Sequence, residues 1–186
     1  MTPDKITSDH LISRSESLLV VIDAQERLLP VIAEREAVVE NLVRLVKFAR
    51  IIELPVVVTE QEKLGQTVPE IRAELAGEEP IQKATFDCFG STQFRERLAK
   101  LGRRVLILAG VEAHICIAQT AIGGLGRYHV HVVSDAVSSR TLANRLVALE
   151  RMARAGAIIT STEMVIYELL ARAGTDEFKE ALKLVK

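Results

Sequence analysis

Hydrophobic residues fall into short unbroken runs, separated by stretches in which they recur every three or four positions. Residues 18–23 (LLVVID) form the first run, with no polar side chain until the last position. Such a run suits a strand buried on both faces of a parallel sheet. Over residues 31–53 the apolar positions Val38, Val39, Leu42, Leu45, Val46 and Ala49 recur at helical spacing. Pro55 ends that pattern, and residues 56–59 (VVVT) supply a second buried strand. From 60 to 90 no period dominates: Gly65, Pro69, Gly77 and Pro80 interrupt it and leave room for one short helix near 68–75. A helix is predicted over 92–101 with Gly102 closing it, then a strand over 104–110, then a helix from about Ala113 with no linker between. Further on, 129–135 and 157–160 read as strands, and 141–155, ending at Gly156, and 162–173 as helices. A last amphipathic helix over 175–186 carries Phe178, Leu182 and Val185 on one side.

Strand–helix alternation over this length predicts an α/β fold, a three-layer αβα sandwich around a mostly parallel, Rossmann-like sheet. A polar leader over 1–17 precedes a single domain over 18–186, with no internal repeat. Open sheets of this kind bind ligands outside the carboxyl ends of their strands. That rule singles out Asp23, then Thr59 and Glu60, the 110–116 turn, and the 134–140 segment.

Composition narrows the partners rather than the fold. Of 186 residues, 48% are hydrophobic and 26% charged, which excludes a disordered chain. The 24 basic and 25 acidic residues are mixed along the chain, so neither nucleic acid nor an anionic membrane has electrostatic support as a partner. No apolar run approaches the roughly 18 residues of a membrane span, and MTPDKITSDH lacks the apolar segment of a signal peptide. Two cysteines are too few for a disulfide framework, so a cytoplasmic setting with free thiols is expected.

Several of these residues could carry chemistry. Cys116 falls in the first turns of the helix after the third apolar strand, where unpaired backbone N–H groups lower a thiol's pKa and can hold an oxyanion. Set among Ile115, Ile117 and Ala118, it could equally be core filling. Asp23 ends an apolar strand, as a functional carboxylate or as a helix cap. Lys83 reads by default as a surface residue. Cys88 has no helix terminus or base beside it and reads as inert. His129 and His131 share one strand face, but no third metal ligand is near. The glycines at 123, 124 and 126 follow a helix, unlike a dinucleotide-binding loop.

Five segments taken together, VVIDAQERLLP (20–30), TEQEKLGQTVPE (59–70), QKATFDCF (82–89), LAGVEAHICIAQTA (108–121) and VVSDAVSSR (132–140), resemble those of the isochorismatase-like cysteine hydrolases. That superfamily includes nicotinamidases and N-carbamoylsarcosine amidase, and the likeness is greatest to its short isochorismatase-domain proteins. The resemblance implies an Asp-Lys-Cys triad at Asp23, Lys83 and Cys116. It also implies a cis peptide at Val111–Glu112 that would aim N–H groups near Glu112 and Ala113, with that of Cys116, into an oxyanion hole. Gln25, Leu28, Leu64, Phe86, His114 and Ile115 are candidates to line a small, mostly apolar pocket.

Two departures shape the expected activity. Nicotinamidases carry an Asp-x-His metal pair where this chain has Thr59-Glu60-Gln61, so no metal or other cofactor is expected. Isochorismatases proper usually lack the cysteine and cleave a vinyl ether. Retention of Cys116 implies a metal-independent hydrolase that cuts a small amide or carbamoyl-type C–N bond through a thioester. Vinyl-ether hydrolysis and a non-catalytic scaffold stand as alternatives. Family members commonly assemble from several copies, so a homo-oligomer is expected.

Overall fold

Ser17–Ile22 forms β1, and all six of its residues are buried, because the strand lies between two parallel neighbours. The structure, a computed structural model, describes residues 11–75 and 77–185. The other strands are β2 (Val56–Gln61), β3 (Ile81–Lys83), β4 (Val105–Val111), β5 (His129–Ser138) and β6 (Ile158–Thr160). They make one all-parallel sheet in the order β3-β2-β1-β4-β5-β6. The short strands β3 and β6 form the edges, and the longer apolar runs take the centre.

Seven α-helices occur among the described residues: α1 (Arg35–Ile51), α2 (Pro69–Arg72), α3 (Thr92–Leu101), α4 (Ala118–Gly124), α5 (Leu142–Ala155), α6 (Thr162–Leu170) and α7 (Asp176–Val185). Successive strand residues point to opposite faces, so β1 feeds two cores. Leu19 and Val21 pack with Leu42, Leu45 and Phe48 of α1, Ile71 of α2, Ile166 of α6 and Ala181 of α7. Leu18, Val20 and Ile22 pack with Phe94 and Leu98 of α3, Ala121 of α4, and Ala148 and Met152 of α5. Local chemistry sets the helix starts: Ser91, Thr141 and Ser161 each accept a hydrogen bond from the backbone N–H three residues on.

The predicted three-layer fold is the observed one, with three differences of detail. Ile81–Lys83, inside the stretch without a clear period, is an edge strand. The segment after β4 is a wide π-type turn, Ala113–Ile117, before α4 proper begins. β5 runs on to Ser138 with a register shift against β4, from Leu108–Val132 to Gly110–Val137 pairing. Of the expected leader, residues 1–10 lie outside the described residues. Ile12 is buried, and its N–H donates to Glu168 Oε2 of α6 at 3.0 Å. No helix among the described residues is long and apolar enough to cross a membrane.

Candidate active site

Three adjacent strand ends converge at the carboxyl edge of the sheet. Directly after β1, Asp23 adopts a left-handed backbone (φ 55°), and its N–H donates to the Thr59 carbonyl at 3.1 Å. Its carboxylate is fully buried. Oδ1 accepts from Thr59 Oγ1 at 2.8 Å and Oδ2 from Lys83 Nζ at 2.7 Å. Lys83 is the last residue of β3. Alternation along that edge strand puts Ile81 and Lys83 inward and Gln82 outward, which is why a lysine in an irregular-looking segment is buried. Its ammonium also donates to Gln61 Oε1 at 2.8 Å and to the Thr85 carbonyl at 3.3 Å, and lies 3.8 Å from Cys116 Sγ.

Cys116 reaches this point from the far side of β1. β4 ends at Val111, and the chain reverses through left-handed Glu112 (φ 59°, ψ 60°) into the π-type turn that presents the thiol, which is 4% exposed. The Val111–Glu112 bond, expected to be cis, is trans, as are all peptide bonds among the described residues. The reversal is instead taken up by the left-handed Glu112 and by Gly110 at φ 131°.

The electrostatics also differ from the expectation of an acidified thiol. Burial, then the charge of Asp23, push the Cys116 thiol well above its ordinary pKa, against the opposing effect of Lys83, and a hydrogen bond with Asp23 adds to the rise. At rest the group is a thiol, because desolvation disfavours the thiolate. For Lys83, burial disfavours the ammonium, but the charge of Asp23 and the hydrogen bond to it prevail and raise its pKa. Cys88 is buried against the same cluster, with Sγ 4.0 Å from Thr59 Oγ1, and desolvation lifts it to about 11 while Lys83 and Thr120 oppose.

These shifts carry a stability prediction. A group whose pKa is raised by folding stabilises the folded state fully below its unfolded pKa. That contribution is lost as pH climbs through the folded value. The unfolded Cys88 thiol titrates near 9.0 and the folded one near 11, so stability should fall over that interval by about 3 kcal/mol from Cys88 alone. Urea unfolding at intervals from pH 8 to 11 measures it, and a flat profile across pH 9–11 would contradict the buried-thiol description.

The remaining sequence candidates take varied places. Gln25 is buried with its amide spent on backbone: Nε2 donates to the carbonyls of Gln61 (2.9 Å) and Gly65 (2.7 Å), and Oε1 accepts from Gln61 N–H at 2.8 Å. It anchors the loop after β2. Leu28, Leu64 and Ile115 are half-buried and Phe86 is 52% exposed. His114 Nδ1 lies 2.9 Å from Ser139 Oγ and 3.4 Å from Glu112 Oε2, and Arg140 Nε lies 2.8 Å from Glu112 Oε1. Thr59, one of the strand-end residues expected from sequence, partners Asp23, and Gln61, which the sequence reading does not single out, partners Lys83. Their signal is the period-two spacing at the end of β2, which aims both at one face and Glu60 at the other. Among the described residues no three His, Cys, Asp or Glu side chains gather as a metal site.

Comparison with known proteins gives a family. The isochorismatase domain model matches residues 17–164. The zebrafish (Danio rerio) isochorismatase domain-containing protein 1 is 39% identical over 185 residues, which cover 97% of this chain and 65% of that protein. Human isochorismatase domain-containing protein 2 is 40% identical over 173 residues, covering 91% of this chain and 83% of that protein. Among solved structures, one described as the MAR1 ribonuclease of Caenorhabditis elegans superposes with a TM-score of 0.88 at 38% identity, covering 94% of this chain and 92% of that one.

Proposed function

The chain belongs to the isochorismatase domain family, and from that premise we propose that it is a metal-independent cysteine hydrolase cleaving a small amide or carbamoyl-type C–N bond. What supports this reading most is the Lys83–Asp23 ion pair, side chains fully buried at 2.7 Å, placed 3.8 Å from a buried thiol. Burying two charges is costly, and a fold that needed only packing would be better served by apolar residues there.

The resting thiol hands its proton to Asp23 as the substrate carbonyl arrives, and the ammonium of Lys83 balances the thiolate. Sulfur bonds to the carbonyl carbon. The oxygen gains negative charge, and the backbone N–H groups of Glu112, Ala113 and Cys116 hold it. The C–N bond then breaks and Asp23 returns its proton to the leaving nitrogen, leaving a thioester on Cys116. Asp23 next accepts a proton from water, whose oxygen attacks the thioester, and the proton passes to sulfur as the acid leaves.

A screen of small amides, carbamoyl compounds and hydroxamates, with wild type beside Cys116→Ala and Cys116→Ser, tests the reading. Turnover by wild type and its loss in both variants is the expected result. Turnover of a vinyl ether added to the screen that survives Cys116→Ala would instead indicate chemistry of the isochorismatase type. No turnover, with Cys116 alkylated no faster than Cys88, would leave a scaffold. A short RNA belongs in the same screen, because the MAR1 relative is described as a ribonuclease. The mixed charges of this chain provide no phosphate-tracking stripe. The substrate is therefore read as a small molecule, and the free buried thiols as suited to a reducing, cytoplasmic setting. Exposed Leu142, Leu146 and Val147 on α5 offer an apolar face for self-association.

A further inference from the structure

Lys83 Nζ faces more acceptors than it has hydrogens. Asp23 Oδ2 at 2.7 Å and Gln61 Oε1 at 2.8 Å take two. The third is divided between long contacts to the Thr85 carbonyl at 3.3 Å and Cys116 Sγ at 3.8 Å. Gln61 is itself held at every polar group. Its backbone N–H and carbonyl are clamped by the Gln25 amide, and its Nε2 donates to the Ala84 carbonyl at 2.8 Å. Because only the NH2 end of an amide can donate, the Ala84 contact forces Oε1 toward the ammonium.

We propose that Gln61 is a positioning residue that holds the Lys83 ammonium between Asp23 and Cys116 through a neutral acceptor, leaving the lysine charge free to balance the Cys116 thiolate. This rests on the cysteine-hydrolase reading above. A glutamate at position 61 would span the same distance. It would, however, set a second carboxylate on Lys83 and a repelled oxygen against Ala84, and a nearby like charge disfavours a forming anion. The amide at this position is therefore a choice of charge as well as of shape. The other titratable groups acting on Lys83 are Asp23, Cys88 and Cys116. Glu60, on the opposite face of β2, is occupied by Thr67 N–H (2.6 Å), Thr67 Oγ1 (2.8 Å) and Gln82 Nε2 (2.5 Å).

Iodoacetamide alkylation of Cys116, followed across pH by peptide mass spectrometry in wild type, Gln61→Glu and Gln61→Met, tests the proposal without needing a substrate. Gln61→Glu should move the alkylation midpoint upward and slow the reaction at pH 8 roughly tenfold, the change that one pKa step brings. Gln61→Met removes the anchor without adding charge. It should slow alkylation at pH 8 several-fold, with a smaller upward movement of the midpoint than Gln61→Glu gives. A purely structural role would make the two variants alike in pH profile, and that result, or wild-type profiles in both, overturns the proposal. Should Gln61→Glu not fold, Gln61→Met decides alone, and a wild-type alkylation rate sinks the idea. A wild type inert toward every amide tried, yet showing the expected alkylation pattern, would discard the hydrolase reading and keep Gln61 as the lysine's anchor.

Discussion

A Gly110→Ala protein is expected not to accumulate in folded form. Gly110 pairs with Ile22 across the β1–β4 junction at φ 131°, a conformation that side chains rarely adopt. A Cβ built there would lie 2.0 Å from the Ile22 carbonyl oxygen and 2.7 Å from its nitrogen. Both obstacles are backbone in the central pair of the sheet, so no rotamer change relieves them, and the strands would have to part. The loss should exceed about 4 kcal/mol, a large share of the roughly 5–15 kcal/mol that holds a typical domain together. Gly102→Ala is the control: it has φ 63° with open space around it, and should cost only about 1–2 kcal/mol. Soluble yield and far-ultraviolet circular dichroism report the difference. A folded Gly110→Ala protein of near wild-type stability would mean that β1 and β4 lie farther apart than described.

Lys83→Met should be nearly as damaging, for an electrostatic reason. Methionine matches the stem of the lysine but leaves Asp23 as an uncompensated charge with no exposed surface, and breaking a buried pair from one side typically costs about 3–5 kcal/mol. The variant should also lose turnover, since nothing would then balance the thiolate. Adding Asp23→Asn removes the stranded charge, so the double variant should recover most of the stability and none of the activity. Urea denaturation of the two single variants and the double gives the coupling between the residues directly. If Lys83→Met unfolded within about 1 kcal/mol of wild type, the pair would be solvated and the buried-charge account would fail.

These two residues show where sequence is readable and where it is not. The sheet centre was legible because LLVVI and the run at 105–109 are apolar at every position, which only a strand covered on both faces tolerates. Two helix ends were legible from Gly102 and Gly156, which close α3 and α5. β3 was not: three residues with a single apolar side chain carry no period, and its pairing to β2 is a tertiary fact. Lys83 was therefore a surface residue by composition and a site candidate only by resemblance. Cys116 was located from its place between strand and helix, but its electrostatics were misjudged. The rule that a helix start acidifies a thiol assumes solvent access, and here desolvation and Asp23 act the other way. Gln61 was hidden for a different cause: the period of β2 puts it on the face of Thr59, but does not separate an anchor from a solvated side chain.

The strand order has a consequence in time. β1 is the first of the six strands among the described residues, yet it lies inside the sheet, flanked by β2 and β4. Its second edge stays open until residues 105–111 have been made, and Asp23 meets Lys83 across 60 residues of chain. Contacts so distant in sequence close slowly, and an apolar strand with an unpaired edge invites wrong partners meanwhile. Until the sheet closes, Cys88 is an ordinary, reactive thiol. Completing it leaves Cys88 with no exposed surface, so the rate at which Cys88 in a folding chain stops reacting with a thiol reagent reads out how quickly the central strand finds its last neighbour.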